Sequence, residues 1–216
     1  MALELFSHPF SSYCQKALIA LFENDIPFIY RMLEDEGVGE ELARIWPLGR
    51  FPVLREGDRV VPEATMIIEY LDVHHAGPVR LIPEDRDAAI LVRTMDRFFD
   101  NYIASPQQKI VYNALRDEAA RDPHAVAEAH VMFDKAYRWL DGHMAGREWA
   151  AGDFSLADCA AAPQLFYADW TYAIPEEFAN VRAYRQRLIE RPSFARALDE
   201  ARPYRSYFPL GAPDRD

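Results

Sequence analysis

Cysteine is scarce in this chain. Cys14 and Cys159 are the two present in 216 residues, far apart and without a C-x-x-C partner, so a disulfide framework is excluded. The six histidines are scattered, none at a zinc-like spacing, and no metal site is expected. Basic charge is in deficit too: 24 lysines and arginines face 35 aspartates and glutamates. The resulting net charge of −11, with no local basic stripe, argues against a nucleic-acid partner. Long apolar runs are missing: nothing approaches the roughly 20 residues of a membrane span. The opening MALELFSHPF lacks the basic segment and apolar core of a secretory leader. A cytoplasmic protein with no membrane partner is the expectation.

What the chain does have is material for a core. Hydrophobic residues make up 50% of it, and its length fits one large domain or two small ones. LELFS, residues 3–7, alternates with the period of a half-buried strand. A helix follows, with Ala17, Leu18, Leu21 and Phe22 at three- and four-residue steps and Asn24, Asp25 and Pro27 at its end. FIYRML reads as a second strand, and VLR, the turn EGD and RVV as a hairpin over residues 53–61. Beyond Pro62, Met66, Ile67, Tyr70 and Leu71 share a helical face that Gly77 and Pro78 terminate. From Pro83 onward the periods are helical only. Leu91, Met95, Phe98, Phe99 and Tyr102 form one stripe, and Val126, Ala129, Phe133, Ala136, Tyr137 and Leu140 another. The pattern predicts an α/β domain over 1–78, a proline- and glycine-containing linker at 79–84, and an all-helical domain over 85–216.

Local motifs have readings of their own. In SSYC, Ser12 and Gln15 have the S-x-x-Q spacing of a helix capping box. SLAD, residues 155–158, has the same spacing with aspartate in the acidic position, a structural cap. Pro52 fits the start of a strand, and Glu63 is a first-turn acid that complements a helix dipole.

Four stretches, in this order, carry a resemblance: SSYC at the first strand–helix junction, GRFPVL ahead of the third strand, PEATMIIEYLD, and AGDFSLADCAAAP. Across nearly its full length the chain resembles a cytosolic glutathione transferase of the serine type. The resemblance implies a thioredoxin-like domain, βαβ then ββα around a mixed four-stranded sheet, followed by a helical bundle. It also implies glutathione as co-substrate without a metal, and a homodimer in which the helix at residues 66–71 meets the partner's long helices.

The resemblance further implies site roles. Ser11 stands where glutaredoxins carry their attacking cysteine and would hold the glutathione sulfur, with Tyr13 as its competitor. Cys14 matches a resolving cysteine whose mate is here a serine; it is a packed thiol or forms a mixed disulfide with glutathione. Pro52 would follow a cis bond that presents the Phe51 backbone to the cysteinyl backbone of glutathione. Arg50 would meet a carboxylate or be a solvated surface charge. The Ala64 amide would take the γ-glutamyl carboxylate and Glu63 the amino group. Most relatives have serine or threonine where this chain has Ala64, and Phe51 is larger than usual. Phe10, Phe98, Tyr102, Tyr167 and Trp170 are the candidate walls for a small apolar or aromatic electrophile. Two other outcomes stay open: a scaffold that binds a protein partner, as stringent-starvation proteins are thought to do, and glutathione-dependent isomerisation or reductive cleavage.

Overall fold

The computed structural model describes residues 2–216. Four strands, β1 (Leu3–Ser7), β2 (Phe28–Met32), β3 (Val53–Glu56) and β4 (Arg59–Pro62), form one mixed sheet in the order β2-β1-β3-β4. β1 pairs parallel with β2 and antiparallel with β3, Leu5 opposite Tyr30 and Leu54. Because β1 is central, both its faces are covered. Leu3 and Leu5 enter the main core with α1 (Ser12–Glu23) and α3 (Ala64–His74), while Phe6 joins Val38, Leu42 and Val53 on the other side.

Val38 and Leu42 belong to α2 (Val38–Ile45), a helix that the polar, glycine-containing sequence does not announce. Val38, Leu42 and Ile45 recur at helical spacing and supply its one apolar stripe. The first helix also starts differently from the capping-box expectation. Ser11, not Ser12, is the N-cap, and its Oγ accepts from the Cys14 N–H at 3.4 Å. The Ser11 N–H is already donated to His8 O at 3.0 Å. Gln15, one position too late to reach back, donates instead to Pro9 O at 2.8 Å and to the Tyr167 hydroxyl at 3.0 Å.

Helices follow from Arg86 onward. α4 (Arg86–Phe98) runs through a π-helical turn (Phe99–Ala104) into α5 (Ser105–Ala114). Pro106, near the start of α5, has no N–H to give and its ring cannot approach a carbonyl four residues back, which the wider turn relieves. A 3₁₀ turn (Glu118–Ala120) leads to α6 (Pro123–Met144), α7 (Leu156–Thr171), α8 (Ala179–Glu190), α9 (Pro192–Ala201) and a closing 3₁₀ segment (Arg202–Tyr207). Among the described residues no helix is long and apolar enough to cross a membrane.

α7 is the buried axis of the helical part, its small Ala160, Ala161 and Ala162 allowing close approach. At its start Ser155 and Asp158 form a capping box. Asp158 Oδ2 accepts from the Ser155 N–H at 3.0 Å, and Oδ1 from the Ala150 N–H at 2.9 Å and the Tyr184 hydroxyl at 2.5 Å. The two halves of the chain are locked together at the surface. Arg191 clasps Glu23 with two bonds of 2.7 and 2.6 Å, and the Asn24 side chain bonds both backbone groups of Val79. Gly77 passes so close to Asn24 that an added Cβ would lie 2.3 Å from its Oδ1.

Candidate functional site

A cleft of about 670 Å³ opens where the N-terminal ends of α1 and α3 face α4, the π turn and α5. Ser11 and Tyr13 line it from α1, Phe51 and Pro52 from the approach to β3, and Glu63 and Ala64 from α3. The Phe51–Pro52 peptide is cis. Glu63 adopts φ 70°, an uncommon backbone state for a side chain with a Cβ, and no side chain caps α3. The first amides of α3 therefore have no side-chain cap, at the positive end of the helix.

Ser11 accepts one hydrogen bond as the cap of α1, which uses an oxygen lone pair and leaves the hydroxyl proton to be donated. Tyr13 keeps its proton through neutral pH, because burial, reinforced by the nearby Asp100 carboxylate, pushes its hydroxyl up to about 12. Cys14 is fully buried; its Sγ accepts from the His8 N–H at 3.4 Å, and burial pushes the thiol up. A mixed disulfide through Cys14 is thus disfavoured on both access and thiolate content. Cys159 is likewise fully buried in the core.

At the wall of the cleft lies a charge cluster in which Lys16, Asp96 and Asp100 are buried and Arg97 is half exposed. Lys16, on the helix that carries Ser11, donates to Asp96 at 2.5 Å, Asp100 Oδ2 at 2.9 Å and Thr65 Oγ1 at 2.9 Å. Arg97 reaches Thr65, Asp96 and Asp100 Oδ2 at 2.5, 2.7 and 2.6 Å. Two cations and two carboxylates thereby fix the start of α3, at Thr65, against α1 and α4.

The five expected electrophile walls divide. Phe10 and Tyr167 line the cleft and meet edge to face at 5.4 Å. Phe98 and Tyr102 do not line it. They flank an outer groove of about 750 Å³ with Ile90, Met132 and Trp139, on the face of α4 that Ile90, Thr94 and Phe98 mark at four-residue steps and that Tyr102 continues. Trp170 also lies off the cleft, packed against Phe166 at 4.7 Å and screened by Phe208 at 5.4 Å. The cleft instead receives Trp46, Asp100, Asn101, Gln108, Tyr207 and Phe208, none of which the sequence motifs single out. Trp46 Nε1 is buried with no hydrogen-bond partner among the described residues, and Trp46 lines the same cleft as Arg50.

Two family models match the chain: "Glutathione S-transferase, N-terminal domain" over residues 5–79 and "Glutathione S-transferase, C-terminal domain" over residues 123–187. The chain belongs to the glutathione S-transferase family. Its co-substrate as a family is glutathione, and its thioredoxin-like sheet followed by a helical domain is the architecture described above. The glutathione S-transferase hmp2 of Hypomyces subiculosus is 26% identical over 218 residues, covering 94% of this chain and 100% of that protein. A stringent starvation protein A homolog of Pasteurella multocida is 23% identical over 210 residues, covering 93% and 92%. Among solved structures, a glutathione S-transferase from Methylobacillus flagellatus with glutathione bound superposes with a TM-score of 0.81 at 26% identity, covering 91% of this chain and 98% of that one. Among the described residues of this glutathione S-transferase family member, no group of three or more His, Cys, Asp or Glu could hold a metal ion.

Proposed function

We propose that the protein is a glutathione transferase in which Ser11 holds the glutathione thiolate for attack on an electrophile. The observation that carries the reading is the position of Ser11. Its hydroxyl, with a proton to donate, stands at the positive end of α1 on the wall of a cleft whose other end is formed by the amides of α3. A free thiol titrates near pH 8.5, so a donor and a helix N-terminus beside it enlarge the thiolate fraction at neutral pH.

In this reading the peptide lies along the cleft wall. The Phe51 backbone pairs with the cysteinyl unit, the Ala64 amide takes the γ-glutamyl carboxylate and Glu63 the amino group. Arg50 and the Trp46 N–H serve the glycyl carboxylate. Catalysis is then positioning plus thiolate stabilisation, with no covalent enzyme intermediate. Calorimetry with glutathione, alongside turnover of the Ser11→Ala variant, tests the reading: binding should persist while turnover falls.

The scaffold reading keeps two specific supports. Ala64 lacks the hydroxyl that serine or threonine would add, a loss of about 0.5–1.5 kcal/mol for one hydrogen bond, and a stringent starvation protein is among the relatives. A homodimer belongs to the same proposal. Met66 is 51% exposed on α3, Arg93 on α4 clasps Glu69 beside it, and the outer groove with Phe98, Tyr102 and Trp139 leaves an apolar face uncovered. Light scattering should give twice the 24.9 kDa of one chain.

A further inference from the structure

The far half of the cleft is built by the helical domain, and the π turn supplies Asp100 and Asn101 to its wall. Phe98 and Tyr102 lie on the outer groove in step with Ile90 and Thr94, while within the π turn Asp100 lines the cleft and Asn101 lines both the cleft and the groove. Wide turns of this type are frequent at functional sites. Ser105 and Gln108 continue the polar wall along α5.

Asp100 is 7% exposed. Its Oδ2 takes both Lys16 and Arg97, whereas its Oδ1 is buried with no hydrogen-bond partner among the described residues. A buried carboxylate oxygen without a donor is costly, and a ligand that donates to it removes the cost. Charge on the incoming molecule is not called for, since Lys16 and Arg97 already balance Asp96 and Asp100. The amides of Asn101 and Gln108 add N–H donors for a carbonyl oxygen.

We propose that this half of the cleft takes an uncharged polar electrophile, whose hydroxyl or amide N–H donates to Asp100 Oδ1 and whose carbonyl accepts from the wall formed by Asn101 and Gln108. The assignment rests on the transferase reading of the same cleft. With an acrylate ester as probe, the glutathione thiol adds across the alkene. The S–C bond forms at the β-carbon, the π bond breaks, and the proton from sulfur ends on the α-carbon. No group leaves and nothing is oxidised.

Asp100→Asn tests the assignment at nearly constant shape. Lys16 and Arg97 both donate to the Oδ2 position, so the variant's amide oxygen turns to them and its NH₂ takes the place of Oδ1, converting an acceptor into a donor. The readout is the ratio of kcat/KM for hydroxyethyl acrylate to that for methoxyethyl acrylate, since the methoxy compound accepts but cannot donate. The wild type should favour the hydroxyl ester about tenfold or more, the factor a hydrogen bond to a charged acceptor supports. The variant's ratio should fall to about one or below, measured at saturating glutathione so that any loosening of α3 by the lost charge affects both esters alike. The added methyl is common to both proteins, so the change in ratio reads Asp100 alone.

Asn101→Leu, on the exposed wall, leaves the buried charges intact and should slow both esters severalfold relative to chlorodinitrobenzene. An unchanged ester ratio in Asp100→Asn overturns the proposal. So does turnover of chlorodinitrobenzene with neither ester. Where Asp100→Asn loses glutathione binding through the cluster that fixes α3, Asn101→Leu carries the test, and esters not slowed relative to chlorodinitrobenzene in that variant overturn the proposal. Absence of glutathione binding by the wild type would instead remove the transferase reading beneath it.

Discussion

Replacing Ser11 separates two functions of one hydroxyl. As the cap of α1 its oxygen accepts from the Cys14 N–H at 3.4 Å, a long bond, so Ser11→Ala should cost about 1 kcal/mol of stability or less, and Ser11→Gly only a few tenths. As thiolate donor it makes a hydrogen bond to a charged group, a class that contributes about 1.5–3 kcal/mol. At about 1.4 kcal/mol for each tenfold, losing that bond raises the pKa of bound glutathione by about one to two and lowers kcat/KM about tenfold to a hundredfold near pH 7. Both variants should therefore lose activity equally while differing in denaturation midpoint. The assay is kcat/KM against pH, with calorimetry to show that glutathione still binds. The activity lost at neutral pH should return as pH rises past the new thiol pKa. A wild-type pH profile in both variants, with binding intact, would refute the role and move it to Tyr13, for which Tyr13→Phe is the companion variant.

Other outcomes follow from the packing. Asp158→Ala strips the acceptor from the buried donors of Ala150, Ser155 and Tyr184, and should lower stability by about 3–5 kcal/mol in a denaturant titration; a loss under 1 kcal/mol would contradict the capping account. Gly77→Ala forces a Cβ onto Asn24 and should cost about 1–3 kcal/mol, whereas an unchanged melting temperature would mean the contact relaxes freely. Glu4 is held below its ordinary pKa of 4.5, first by its bond to Arg55. Its contribution is therefore present above pH 4.5 and lost as pH falls through the depressed folded value, so the gap in stability between wild type and Glu4→Gln should close on acidification.

The sheet domain was legible because its signals are local. LELFS shows its period within five residues, and SSYC, GRFPVL and PEATM each contribute cleft-lining residues within a few positions. α2 was hidden, since a single stripe of Val38, Leu42 and Ile45 is diluted by glycine and glutamate. The π turn was hidden for a different reason. Its side chains obey an ordinary helical stripe up to Phe99, and Pro106 is the only nearby hint that the phase must change. Phe98 and Tyr102 share four-residue steps with Ile90 and Thr94 on the outer groove, a face that the stripe alone does not tell from the cleft, and Asp100 and Asn101 line the cleft in the same stretch. Trp46, Tyr207 and Phe208 reach the cleft from segments far apart in the chain, and no spacing rule joins positions that only tertiary packing brings together.

The most direct test is a calorimetric titration of the purified wild-type protein with glutathione at neutral pH, followed by the acid–base titration of the bound thiol. The account predicts saturable binding in the millimolar range or tighter and a thiol pKa depressed below that of free glutathione. No binding heat and no competition by glutathione analogues, or a bound thiol that titrates like the free one, would contradict it.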